Sequence, residues 1–177
     1  MAAPVHIIGQ PGSGKTTLVA NLVRNLTERG LAVGTLKHSS HAHELDKPGK
    51  DSHIHRTAGA CPASMVTPKM AAIYLPASDL TAPEELIRTY YGNTDIVLIE
   101  GWISGPYPKI EIWRRQVDRP PLFPDLPTVA ALVSDDALDA FSDSAAQQRQ
   151  LTRLALEPVS AVADLAQALA YGEKTAS

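Results

Sequence analysis

Three observations predict an α/β fold of three layers, a mostly parallel sheet with helices on both faces and a β-hairpin insertion. Apolar strand-like runs alternate with stretches of helical spacing along the chain. The segment Gly9-Gln-Pro-Gly-Ser-Gly-Lys-Thr16, a G-x-x-x-x-G-K-[ST] match, follows the apolar run Val5–Ile8 and opens the first helix. Asp95–Glu100 reads as a strand of four successive apolar residues, Ile96–Ile99, that ends in an acid. A strand, a glycine-rich loop and a helix in that order are the context that a phosphate-binding loop requires. Strands apolar throughout belong to parallel sheets buried on both sides. Together these features predict a P-loop NTPase architecture.

The elements follow in order. Leu18, Val19, Leu22, Val23 and Leu26 recur at helical spacing, and Gly30 stops that helix at C′. Leu31–Lys37 reads as a second apolar strand. Residues 38–52 are polar and read as a loop, and 52–59 as a short helix. Ser64–Thr67 and Ala71–Leu75 flank Pro68-Lys69 as a hairpin. Thr81-Ala82-Pro83-Glu84 has capping-box spacing, and the helix after it should turn Leu86, Ile87, Tyr90 and Tyr91 inward and end at Gly92-Asn93. Lys109–Arg115 alternates apolar and polar residues and predicts a half-exposed strand. Four prolines make 119–127 a loop, Val129–Val133 is another buried strand, and helices are expected around 144–155 and 161–171.

Composition bounds the function. The 177 residues suit one domain, 1–177. A net charge of −3 argues against a nucleic-acid partner. The single Cys61 excludes an internal disulfide framework and fits a reducing compartment. No run approaches the roughly 18 apolar residues of a membrane span. The first strand begins within four residues, without the charged and apolar regions of a signal peptide. A cytoplasmic protein without a membrane partner is expected.

The P-loop carries most of the chemistry. A chance match in a chain of this length has odds of about one in a hundred. Gly12 and Gly14 let backbone approach phosphate oxygens, and the Gly12–Thr17 amides, Ser13 among them, face an anion at a helix N-terminus. Lys15 reaches the β- and γ-phosphates and the Thr16 hydroxyl ligates Mg²⁺. Glu100, brought to the sheet's C-terminal edge by its strand, is the expected partner of the Mg²⁺ hydration shell or of a catalytic water, and Gly101 permits close approach. Lys37-His38 ends the second strand beside the loop. In the turn Asp46-Lys-Pro-Gly-Lys-Asp51-Ser52, Asp46 is a candidate Mg²⁺ ligand, Asp51 a candidate catalytic acid, and Lys47 and Lys50 candidate phosphate contacts. A solvated loop of neutralising charges explains the same pattern. Histidines 38, 41, 43, 53 and 55 read as polar loop residues or as a Zn²⁺ or Ni²⁺ site without cysteine partners. Trp102 and Trp113 read as partner contacts or as packing.

These residues together resemble the molybdopterin-guanine dinucleotide biosynthesis adapter family (MobB type). The shared order is the P-loop, the strand ending Lys37-His38, the D-x-P-G-x-D-S element Asp46–Ser52, Ala58-Gly59-Ala60, Leu98-Ile-Glu-Gly101 and Pro108-Lys-Ile110. The likeness covers about residues 5–115. It implies a GTP·Mg²⁺-binding homodimer with weak GTPase activity that assists the guanylyltransferase joining GMP to Mo-molybdopterin. No N-K-x-D motif marks guanine recognition. Asp135, after the Val129–Val133 strand, is a candidate acceptor for guanine N1 and N2 or else a helix cap. Two alternatives are a nickel- or metal-delivery GTPase, which needs a metal-holding His loop, and a small-metabolite kinase, which needs an arginine-rich lid. The 38–52 loop has no arginine. Arg56 and Arg114 are the candidates for a charge-neutralising arginine.

Overall fold

The computed structural model describes residues 2–76 and 83–172. Among these, the order is β1 (Ala3–Ile8), α1 (Lys15–Glu28), β2 (Val33–Lys37), α2 (Asp51–Thr57), β3 (Ala63–Val66), β4 (Ala71–Tyr74), α3 (Pro83–Tyr90), β5 (Ile96–Glu100), β6 (Lys109–Ile112), β7 (Val129–Val133), α4 (Ala140–Gln148), β8 (Thr152–Leu154) and α5 (Val159–Tyr171). Six strands form one sheet in the order β2-β5-β1-β6-β7-β8, every neighbouring pair parallel. β3 and β4 form a separate antiparallel hairpin. The proposed capping-box residues Thr81 and Ala82 lie outside the described residues.

The layers follow from side-chain alternation. Val5 and Ile7 of β1, Ile96 and Leu98 of β5, and Ile110 and Ile112 of β6 bury one sheet face. Leu18, Val19, Leu22 and Leu26 of α1, with Val162, Ala163, Leu165 and Ala166 of α5, cover it. On the other face Val97, Ile99 and Leu36 pack with Ile87 of α3. Beside them Ile8, Val129 and Leu132 pack with Trp113, Phe123 and Ala146 of α4. The three-layer parallel fold is therefore present, hairpin included. Helix α1 ends as expected: Arg29 is the C-cap, and Gly30 at φ 87° is C′. Gly30 N donates to Thr27 O and Leu31 N to Leu26 O, the paired bonds of a Schellman motif.

Several expectations are corrected. β6 is central, not half-exposed, and its four residues are all buried. Its charged residues are held by backbone partners: Lys109 Nζ donates to the carbonyls of Gly105 and Tyr107, and Glu111 accepts from Leu122 N and Phe123 N. Tyr90 is exposed, while Ile87 is buried and Tyr91 partly buried, and α3 ends at Tyr90. The stretch expected as one helix near 144–155 is instead α4 followed by the edge strand β8. Three residues are too few to show a period, so tertiary pairing with β7 decides that strand.

Candidate functional site

The site lies where β1, β2, β5 and β6 end. Gly9 has φ 149°, and a Cβ there would stand 2.2 Å from Ile112 O and 2.8 Å from Ser13 Oγ. Only glycine lets the chain pass the end of β6 and turn into the loop. Ser13 is fully buried beneath the loop, and its hydroxyl has no hydrogen-bond partner among the described residues. Gly14, at φ 98°, is the N-cap of α1, and the first helical bond runs from Leu18 N to Gly14 O. The Lys15, Thr16 and Thr17 amides precede that bond and have no intrahelical acceptor, so they point toward any anion held in the loop.

Lys15 folds back across the loop, its Nζ donating to Gly9 O at 3.0 Å and Gln10 O at 2.9 Å. Burial lowers its pKa, against the attraction of Glu100. β5 lies between β1 and β2, with Glu100 in register with Ile7 on one side and Lys37 on the other. One Glu100 oxygen accepts from Thr16 Oγ1 at 2.8 Å and from Lys37 Nζ at 2.7 Å. Glu100 is only 8% exposed, while the Lys37 side chain is 64% exposed. Gly101 turns the chain at φ 81°, and a Cβ there would press within 3.0 Å of His38 O. The His38 ring stacks on Trp102 at 4.6 Å.

These residues enclose a cavity of about 390 Å³ lined by Gly12, Gly14, Lys15, Thr16, Thr17, Lys37, His38, Glu100 and Gly101. Eight of the residues singled out from the sequence for phosphate or Mg²⁺ thus share one cavity. The pair of a hydroxyl and a carboxylate 2.8 Å apart is a hard-oxygen donor set that fits Mg²⁺, an ion held by few protein oxygens and by substrate phosphates.

Asp46 is placed differently. It is buried, and its Oδ1 accepts from Lys47 N at 2.9 Å and Ser52 Oγ at 3.0 Å, with Arg56 Nε 3.9 Å from Oδ2. It braces its own turn and does not line the P-loop cavity. Nor do Asp51, exposed in the first turn of α2, or the exposed Lys47 and Lys50. Arg56 is committed to Glu44 and Asp46. The histidines of 38–55 are not gathered: His38 stacks on Trp102, His41 meets His43 edge-on, and His53 Nδ1 accepts from Gly49 N. Among the described residues no group of three or more His, Cys, Asp or Glu is set to hold a metal.

Asp135 lines a second cavity of about 220 Å³ with Arg114, Gln116, Asp136 and Leu156. Its Oδ1 accepts from Leu156 N at 2.9 Å, so it ties the end of β7 to the end of β8 rather than capping a helix. The N-cap of α4 is Asp139, which accepts from Ser142 N. A third, larger cavity of about 590 Å³ lies between the hairpin and α3, away from the P-loop.

Comparison with known proteins bears on the family and the fold. The family model described as "Molybdopterin guanine dinucleotide synthesis protein B" matches residues 5–135. The chain belongs to that family. It is 35% identical over 115 residues to the molybdopterin-guanine dinucleotide biosynthesis adapter protein of Haemophilus influenzae, covering 64% of this chain and 65% of that one. It is 34% identical over 109 residues to the Escherichia coli protein of the same name, covering 58% and 61%. The match thus spans somewhat less than two thirds of these relatives' own lengths. The crystal structure of Bacillus subtilis MobB aligns with a TM-score of 0.72 at 26% identity, over 97% of this chain and 99% of that one. A structure of molybdopterin-guanine biosynthesis protein B shares the fold with a TM-score of 0.66 at 20% identity, over 92% and 96%. The family match ends at Asp135, so α4, β8 and α5 resemble relatives through their fold.

Proposed function

We propose that this protein is a GTP-binding adapter in molybdopterin guanine dinucleotide biosynthesis. The observation that carries the reading is the P-loop cavity, with Thr16, Glu100 and Lys37 joined across β1, β5 and β2 in a chain of this family. The α1 amides and Lys15 hold the β- and γ-phosphates, for which Lys15 leaves its loop carbonyls. Thr16 and Glu100 hold Mg²⁺, which supplies charge neutralisation at the phosphates. Lys37, whose side chain is exposed beside Glu100, would be within reach of the terminal phosphate. Asp135 stands on the same sheet edge and supports guanine as the base.

The partner in this reading is the guanylyltransferase that joins GMP to Mo-molybdopterin, with the protein working in the cytoplasm as a homodimer. Exposed Met65, Val66, Met70 and Ile73 on a two-stranded hairpin support an interface there. GTPase activity is weak in this reading, because the cavity lining includes no arginine to offset charge in the transition state. Calorimetry with GTP and ATP, each with and without Mg²⁺, tests the proposal. Micromolar or tighter GTP binding that strengthens with Mg²⁺ and exceeds ATP binding is expected. Absence of binding to either nucleotide overturns it. Sedimentation at micromolar concentration tests the dimer.

A further inference from the structure

Arg114 stands two residues beyond β6 and outside the phosphate cavity, yet its guanidinium rests on the P-loop. A Cβ at Gly14 would lie 3.6 Å from each of Arg114 Cζ, Nε and Nη2, so the planar group lies flat over the N-cap of α1. Its Nε is buried without a hydrogen-bond partner among the described residues. No ion pair of Arg114 occurs among those residues either. The two carboxylates that share its cavity are engaged elsewhere, Asp135 with Leu156 N and Asp136 with Arg115 N.

A positive charge that makes no ion pair among the described residues therefore sits against the positive end of a helix. That juxtaposition is repulsive alone and becomes favourable when an anion bridges the two. Its location says which anion. Gly14 belongs to the phosphate cavity, and Arg114 belongs to the cavity of Asp135, so the contact between them is the passage from one to the other. A nucleotide with its terminal phosphates at Lys15 and its base at Asp135 crosses that passage with its α-phosphate.

We propose that Arg114 is a nucleotide-binding residue that holds the α-phosphate. This rests on the nucleotide reading of the P-loop, and the test separates the two. Dissociation constants for GDP and GTP are measured on wild type, Arg114→Gln and Arg114→Lys, at low and at high salt, with circular dichroism and melting as controls on the fold. The expected result for Arg114→Gln is a loss of about 10- to 100-fold, the range of a charge-assisted bond, and the same factor for both nucleotides because both carry the α-phosphate. The factor should shrink at high salt, and Arg114→Lys should recover part of the affinity. Unchanged affinity in Arg114→Gln overturns the proposal. So does a loss confined to GTP, which would put the guanidinium at the γ-phosphate. Wild type that binds neither GDP nor GTP overturns the nucleotide reading itself.

Discussion

At Lys15 a partly buried ammonium is held by two loop carbonyls, a pair of bonds that in the proposed reading an incoming phosphate replaces with charge-assisted ones. Lys15→Ala should keep the fold by circular dichroism and raise the GTP dissociation constant at least tenfold, since each such bond contributes roughly 1.5–3 kcal/mol. Wild-type affinity in that variant would remove the site assignment. In the proposed reading Glu100 works on the ion rather than on the phosphates. Glu100→Gln should bind GTP without Mg²⁺ much as wild type does and lose most of the Mg²⁺-dependent gain, as titration calorimetry would report. Equal Mg²⁺ dependence would return Glu100 to a role in tying β2 to β5. The loop's place before α1 was legible because a P-loop is local: its spacing, its glycines and its helix lie within one stretch of chain.

At the scale of elements, the turn from Glu44 to Ser52 and α2 form a unit separate from the phosphate cavity. Asp46 closes the turn on Ser52 and Arg56, leaving Lys47 and Lys50 exposed. Replacing both lysines with Ala should therefore leave the GTP dissociation constant within a few-fold while depressing guanylyltransferase-coupled cofactor formation. An equal collapse of GTP binding would refute that separation. The role first given to Asp46 failed for a physical reason. A carboxylate two residues from Pro48-Gly49 is equally suited to bracing its turn, and only the packed α2 shows which bonds it makes. β6 teaches the same lesson. Lys109 and Glu111 alternate with isoleucines as solvent-facing residues do, but each is satisfied by the carbonyls or amides of a neighbouring loop. Lys109→Met should strand the carbonyls of Gly105 and Tyr107 and cost about 1–3 kcal/mol, seen as a lower denaturation midpoint.

Over the whole molecule, two buried groups on one sheet face oppose each other in pH. Burial, then the charge of Lys109, lowers the pKa of His6 from 6.5 to about 4. The unfolded chain takes up that proton first, so His6 costs stability as pH falls from 6.5 toward 4. Burial raises Glu111 from 4.5 to about 7, against the pull of the Leu122 and Phe123 amides. There the folded chain keeps the proton longer, so stability is lost as pH rises from 4.5 through 7. The two slopes partly cancel between 4.5 and 6.5. His6→Asn, whatever its overall loss, should expose the Glu111 slope and be more stable at pH 5 than at pH 7 in denaturant titrations. A variant still destabilised by acid over that range would contradict the assignment.

By itself the sequence determined the P-loop, the strand and helix that flank it, the apolar strands and the motif order of the family, because each is written in neighbouring residues. Tertiary structure decided what those neighbours meet. Placing β5 between β1 and β2 joins Glu100 to both Thr16 and Lys37, residues 84 and 63 positions away. The placement of β6 beside β1 lays Arg114 on Gly14, a contact across 100 positions that no local pattern announces. Strand order is set by which apolar faces can be buried together, and burial is a property of the assembled sheet rather than of any stretch of chain.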